Sequence, residues 1–369
     1  MGAPTNYYVD PLIAGNSGTG SIGDPYGDLQ YAMNTISQDA TNGDQINVKA
    51  GTDEILAAAL TLATYGVPAV AKNLVIRGYT AAANDGGIGG INCGDAYSLF
   101  AATTYDYVHL IDLHCYDSGA RDLIHLDQYC TVQGCEVNGC SGSGSYGIDL
   151  GSYSQAMNNN VHDVELGIYL TGYGTARGNH LYGIATGGHG VFLASYSCRA
   201  IRNTLSLSGG ATGIVLSYNA NKVSHNTILS SAGTGKGIWL DASLKGIEVT
   251  NNLVEGFSGA GGVGYDLSSS ALPQYAVGAN GSWNNTTHYT LGDAAQIHVP
   301  GTNEELSASP FAKSGADTFA NRATYFAPLA SVQGTAWPTA LRLDKGAIQH
   351  ADPAGGGGVF HRVPKIVGA

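Results

Sequence analysis

Through the middle of the chain, apolar residues come in short alternating runs broken by Gly, Ser and Asn. The phrase Gly-apolar-x-Leu recurs as Gly147-Ile148-Asp149-Leu150, Gly167-Ile168-Tyr169-Leu170, Gly190-Val191-Phe192-Leu193, Gly213-Ile214-Val215-Leu216 and Gly237-Ile238-Trp239-Leu240. Successive copies stand 20, 23, 23 and 24 residues apart. In phase with them, Asn159, Asn179, Asn203, Asn226 and Asn252 each precede an apolar residue by two. A period of two predicts strands, and the turn residues leave no room for long helices. One coil of short strands cannot bury its own apolar face, whereas stacked coils form a continuous core. The phase predicts a solenoid with inward Ile, Leu and Val columns and an Asn ladder in one turn. Cys115 and Cys135 are placed in the Asn slot of earlier repeats, and Cys130 and Cys198 in a second shared slot. A thiol is small and apolar enough for an inward position, so Cys115 and Cys135 are expected to be stacked free thiols rather than disulfide partners.

Leucine-rich repeats have a similar period, but their Asn falls in a different frame. The repeats resemble the right-handed parallel β-helix of the pectate-lyase-like superfamily, as found in phage, virion and surface β-helix proteins. That resemblance implies an all-β, single-stranded solenoid. The run DLQYAMNTI places Leu29, Ala32, Met33 and Ile36 on one helical face, similar to the N-terminal capping helix of such proteins. The expected organisation is an N-terminal cap over 1–40 and a β-helix over 41–270. A C-terminal cap or small module follows over 271–350, then a Gly-rich tail over 351–369. Ser309-Pro310 and Leu343-Asp344-Lys345-Gly346-Ala347 resemble the terminal segment of surface β-helix proteins, with Lys345 departing from its pattern.

The middle residue of each Gly-apolar-x-Leu phrase should point outward. This column reads His125, Asp149, Tyr169, Phe192, Val215, Trp239. Its stretch Tyr169, Phe192, Val215 and Trp239 predicts an apolar stripe, and three covers are open: the chain's own segment, a second subunit, or a sugar. A second column, Tyr129, Tyr153, Tyr173, Tyr196 and Tyr218, predicts an aromatic ladder. It reads either as a stabilising stack or as a platform for pyranose rings.

The candidate chemistry is sparse. Asp117, Asp122, Asp127 and Asp149 gather near Arg121 and His125, and Asp163 and Glu165 flank His162. Either group suits calcium binding or acid–base work, or is simply solvated charge. Gly188-His189-Gly190 resembles a polygalacturonase element, but the N-T-D, D-D and R-I-K elements of that family are missing, and a turn beside a strand explains the match. Asp85-Gly86-Gly87 does not follow a calcium nonapeptide, and the cysteine spacing matches no zinc pattern. Asn284 and Asn285 carry glycosylation sequons, relevant only in a secretory context.

Composition narrows the classes. With 12% charged residues against 43% hydrophobic and 54 Gly in 369, a helical bundle is excluded and a real core is affordable. A net charge of −12 disfavours nucleic acid, and no apolar run is long enough to span a membrane. The opening MGAPTNYYVDP shows no secretory signal. The expected function is a non-enzymatic structural or adhesive β-helix, most readily a virion tail spike, fibre or capsid decoration contacting surface glycans. The alternative is a secreted polysaccharide lyase or glycoside hydrolase. No cofactor or metal is expected, with calcium only for a lyase. The expected partners are copies of itself, a trimer by preference, with other virion proteins or surface polysaccharide. The expected location is the virion or the extracellular space.

Overall fold

In a computed structural model, the chain is a right-handed parallel β-solenoid in which about eight turns carry all three sheets. The structure describes residues 3–305, apart from 16, 40, 71, 102–104, 232, 242–243, 269–274, 279, 292–296 and 299–303. Three sheets run along it, with 12, 11 and 8 strands among the described residues. One coil shows the plan: Thr131–Gln133 lies in the first sheet, Glu136–Cys140 in the second and Tyr146–Leu150 in the third.

The repeat phrase falls on the third sheet. Ile148, Ile168, Val191, Ile214 and Ile238 form one inward column, and Leu150, Leu170, Leu193, Leu216 and Leu240 another. The invariant Gly of the phrase also faces inward. A Cβ on Gly167 would sit 2.1 Å from the Gly190 carbonyl oxygen and 2.6 Å from Leu181. The second sheet packs so close there that only hydrogen fits. In the next coils Tyr265 and Tyr289 take over the Ile column, and His288 takes the Gly position. The Tyr265 hydroxyl donates to the carbonyls of Asn252 and Gly281, so this larger core residue leaves its polar atom satisfied.

The Asn ladder occupies the short turn between the first and second sheets. Each residue before it takes a left-handed φ, as at Asn158, Gly178, Arg202, His225 and Asn251. Each Asn Nδ2 donates to the next Oδ1 along the axis at 2.9–3.0 Å, from Asn159 through Asn252. The ladder extends one coil further than the spacing suggested, to Asn280, because the step from 252 is lengthened to 28 residues. Cys135 does stand in the slot before Asn159, whose Oδ1 accepts its backbone N–H.

Cys115 does not share that slot. It pairs with Val137 two residues further on, and Leu113 takes the turn position. The 20-residue spacing misled because this coil is longer: 22 residues separate His114 from its register partner Glu136. All six cysteines are free and buried, and burial pushes the Cys135 thiol up to about 12 and Cys115 well above its ordinary range. Both should therefore label slowly with a thiol reagent in the native protein and fully after denaturation. Rapid native labelling of both would contradict their inward placement.

The sheets run past both expected borders of the solenoid. Thr5–Val9 pairs in parallel, residue for residue, with the run from Asp44 to Val48, so a strand precedes the helix. The helix Leu29–Thr35 is capped by Asp28, whose carboxylate accepts the Tyr31 N–H, and buries Leu29, Ala32 and Met33. After residue 270, Tyr275–Gly278, Gly281–Trp283 and Thr287–Leu291 extend all three sheets. The pairs Ile297–His298 and Glu304–Glu305 add to two of them. Ser309-Pro310, the segment from Leu343 and the 351–369 tail lie outside the described residues. No helix among the described residues is long and apolar enough to cross a membrane.

Candidate functional site

The third sheet begins at Ile124–Leu126, and the coil before it offers a loop instead of a strand. Leu99 N–H bonds to the Leu123 carbonyl and ties that loop across the sheet's edge. A cleft of about 570 Å³ opens there, walled by Tyr97, Phe100, Arg121, Asp122, His125 and Ser145 among others. Strand alternation explains the placement: Ile124 and Leu126 face the core, so His125 faces out. Arg121 and Asp122 lie on the turn that enters the strand.

His125 and Asp149 are register partners on adjacent coils, as their shared outward column implied. The His125 Nδ1 lies 3.3 Å from Asp122 Oδ2 and 3.2 Å from Asp149 Oδ2. The other Asp122 oxygen accepts the Tyr146 N–H at 2.7 Å, which fixes that carboxylate. Its bond to Asp122 is the largest influence on His125 and raises the imidazole above its ordinary value. Burial pushes Asp149 up to about 6, with Asp122 and Asp127 adding to it against the pull of His125. Asp127 stands two residues along from His125 on the same side, and is raised by burial and by Asp106.

Asp117 stays apart from this group; it takes a left-handed φ and accepts from Asn92 at the start of the second sheet. His162 lies on that sheet, between Glu136 at 3.1 Å and Asp163 at 2.8 Å, stacked on Tyr182. Asp85 bonds to the N–H groups of Thr80, Ala81, Ala82 and Gly87, which accounts for its Gly-rich surroundings as a turn. His189 is the first residue of the strand His189–Leu193 and packs on Phe192, so Gly188-His189-Gly190 is an ordinary strand entry.

Beyond Asp149 the outward column continues through Tyr169, Phe192, Val215 and Trp239 in register. The exposed stripe is narrower than the sequence suggests. Val215 is fully buried, and the Lys236 ammonium lies over the Trp239 ring at 4.0 Å while pairing with Asp266. Tyr146, which sequence reasoning missed, tilts against Tyr169 at 4.8 Å and joins the aromatic row to the cleft.

The tyrosine ladder is shorter at one end and longer at the other. Tyr129, Tyr153 and Tyr173 share a left-handed turn position and stack within 5° of parallel, at 4.9–5.1 Å. Tyr107 extends the stack by one coil and was missed because it lies before the first clear repeat. Ser197 and Ala220 occupy the next left-handed positions, so Tyr196 and Tyr218 fall outside the column and meet edge to face. Stacked rings cover one another's faces, which leaves only edges along the ladder for a ligand.

Comparisons with known proteins agree with this geometry. Residues 89–254 match the family model described as right handed beta helix region. No curated protein matches the chain significantly. Among solved structures, pectate lyase Pel9A aligns over 95% of this chain and 98% of its own, with 13% identity and a TM-score of 0.52. GH136 lacto-N-biosidase from Eubacterium ramulus aligns over 80% and 68% respectively, with 15% identity and a TM-score of 0.37. XylC in complex with xylose aligns over 76% and 75%, with 11% identity and a TM-score of 0.42. At 13% identity the likeness to pectate lyase Pel9A is one of fold. The chain folds as a right-handed parallel β-helix, and residues 89–254 carry the family's repeat.

Proposed function

We propose that this protein contacts polysaccharide, seating an acidic glycan strand in the cleft at the start of the third sheet. The observation that carries the reading is the cleft itself, open and polar, with Arg121, Asp122 and His125 on one wall and Tyr97 and Phe100 on another. Among the described residues Arg121 has no carboxylate partner, so its guanidinium is available to a uronate. The hydroxyl-rich wall at Ser143 and Ser145 suits sugar hydroxyls. Polygalacturonate should bind the intact chain, and Arg121→Ala should weaken it about tenfold, the loss of one charge-assisted contact. Affinity electrophoresis measures this, and equal retention of both proteins would remove the reading.

A second reading, cleavage of the bound strand, is favoured by the contact of a carboxylate and an imidazole, Asp122 and His125, on the cleft wall. Release of new chain ends from the same polysaccharide would establish it. Intact chains after long incubation would leave a non-enzymatic, adhesive role, as in a virion spike, fibre or decoration protein outside the cell. The low charge and the Gly- and Ser-rich surface support that role. In either case the row Tyr169, Phe192 and Trp239 is read as a contact between copies of the chain, with a trimer as the assembly.

A further inference from the structure

We infer that Asp122, His125 and Asp149 form a binding site for one divalent first-row transition ion, with Zn²⁺ as the probe. Three ligand atoms, one imidazole nitrogen and two carboxylate oxygens, lie within 4.8 Å of one another. They come from a turn and two adjacent strands, so the stacking of coils sets their positions.

The distances inside the group point to an ion. A charge-assisted N–H···O⁻ bond closes to about 2.7–2.9 Å. Here one Nδ1 stands at 3.3 and 3.2 Å from two different carboxylates and reaches that length with neither. An Nδ1 carries at most one proton and cannot satisfy both oxygens. A Zn²⁺ ion bound at about 2.0–2.1 Å requires neighbouring tetrahedral ligand atoms to be about 3.3–3.4 Å apart. The two observed nitrogen–oxygen separations already match those edges. The Asp122 and Asp149 oxygens lie within 4.8 Å of each other, and with Asp122 held by the Tyr146 N–H the closure of that edge falls to the Asp149 side chain.

The donor set selects the kind of ion. Calcium takes six to eight oxygen ligands, and an imidazole nitrogen is a poor substitute. One imidazole with two carboxylates suits zinc and its neighbours. Binding displaces any proton from Nδ1 to solvent, leaving the neutral ring as ligand and Nε2 protonated. Three protein ligands leave a position for water or ligand, and both Asp122 and His125 line the cleft into which it would open. That the open position meets a sugar oxygen rests on the glycan reading above; binding of the ion does not.

The test uses the full chain, stripped of metal by chelator, without glycan. Titration calorimetry with Zn²⁺ should show one tight equivalent, with Ca²⁺ at least a hundredfold weaker. X-ray absorption of the Zn²⁺-loaded protein should show one imidazole and oxygen ligands, without sulfur. His125→Ala and Asp149→Asn should each weaken binding at least tenfold while the β spectrum is retained. Should either variant fail to fold, Asp122→Asn and the absorption spectrum of the wild type still decide the matter. The inference is overturned by an absence of tight Zn²⁺ binding, by a sulfur-containing shell, or by binding that survives all three substitutions. Polygalacturonate retention by the metal-stripped chain is read separately. Retention without Zn²⁺ binding sinks the ion alone, and Zn²⁺ binding without retention sinks the glycan reading alone.

Discussion

Asn203→Ala should destabilise the solenoid by about 3–5 kcal/mol, a cost near the upper end for a single substitution. The reason is the number of buried partners one side chain holds. Asn203 Oδ1 accepts both the backbone N–H and the Nδ2 of Asn179, at 3.0 and 2.9 Å. Its Nδ2 donates to the Ala176 carbonyl at 3.1 Å and to Asn226 Oδ1 at 2.9 Å. All three asparagines are fully buried, so water cannot replace what is lost. Truncation strands the Asn179 N–H outright, because no strand partner lies across that turn, and each stranded group costs about 1–3 kcal/mol. Urea unfolding would give the loss, and hydrogen exchange would locate it at the Asn179 amide. Gln155→Ala, at an exposed outward position of the first sheet, serves as control and should stay within about 0.5 kcal/mol. A loss for Asn203→Ala below about 1 kcal/mol would mean that the ladder is ornamental.

The ladder was legible in the sequence because its spacing is fixed by geometry. A two-sheet turn admits one inward amide per coil, and the side chain must reach its copy one coil away. The inward columns were legible for the same reason, since Ile148 and Leu150 recur in phase with each coil. The errors fall where the phase slips. Cys115 was misplaced because its coil is 22 residues long, from His114 to Glu136, and Tyr196 because a residue is gained in its turn. The terminal coils were hidden where Tyr289 and His288 replace the Ile and Gly of the phrase. At the candidate site, the His125–Asp149 pair followed from one shared column. The cleft did not, because its far wall is a loop, Tyr97 to Ala101, whose position depends on where the third sheet starts. Burial of Val215 was equally hidden, since an outward strand position says nothing of what neighbouring side chains cover.

The double variant Phe192→Asp, Trp239→Asp should convert a trimer into a folded monomer, with the mass by light scattering falling to about a third. Phe192, Val215 and Trp239 are consecutive register partners on the third sheet, so their side chains stand one coil apart, about 4.8 Å. Val215 is already covered, which leaves Tyr169, Phe192 and Trp239 as the half-buried remainder of the row. Burying their remaining apolar area between subunits is worth about 25 cal/mol per Å². A rotation axis parallel to the solenoid brings three equivalent rows together and closes the assembly without growth into filaments. A carboxylate at both positions places charges in the dry centre of that contact, where desolvation exceeds what remains of the burial. Both positions point away from the core, so the far-ultraviolet spectrum should be unchanged. Lys236 adds a discriminating sign, since its ammonium lies on the Trp239 ring and pairs with Asp266. Lys236→Ala frees that ring face but leaves the Asp266 carboxylate unpaired one coil along the row, so it should weaken the trimer without abolishing it. If a segment of the same chain covers the row instead, the double variant loses stability with no change in mass. A wild-type monomer at high protein concentration removes the trimer altogether.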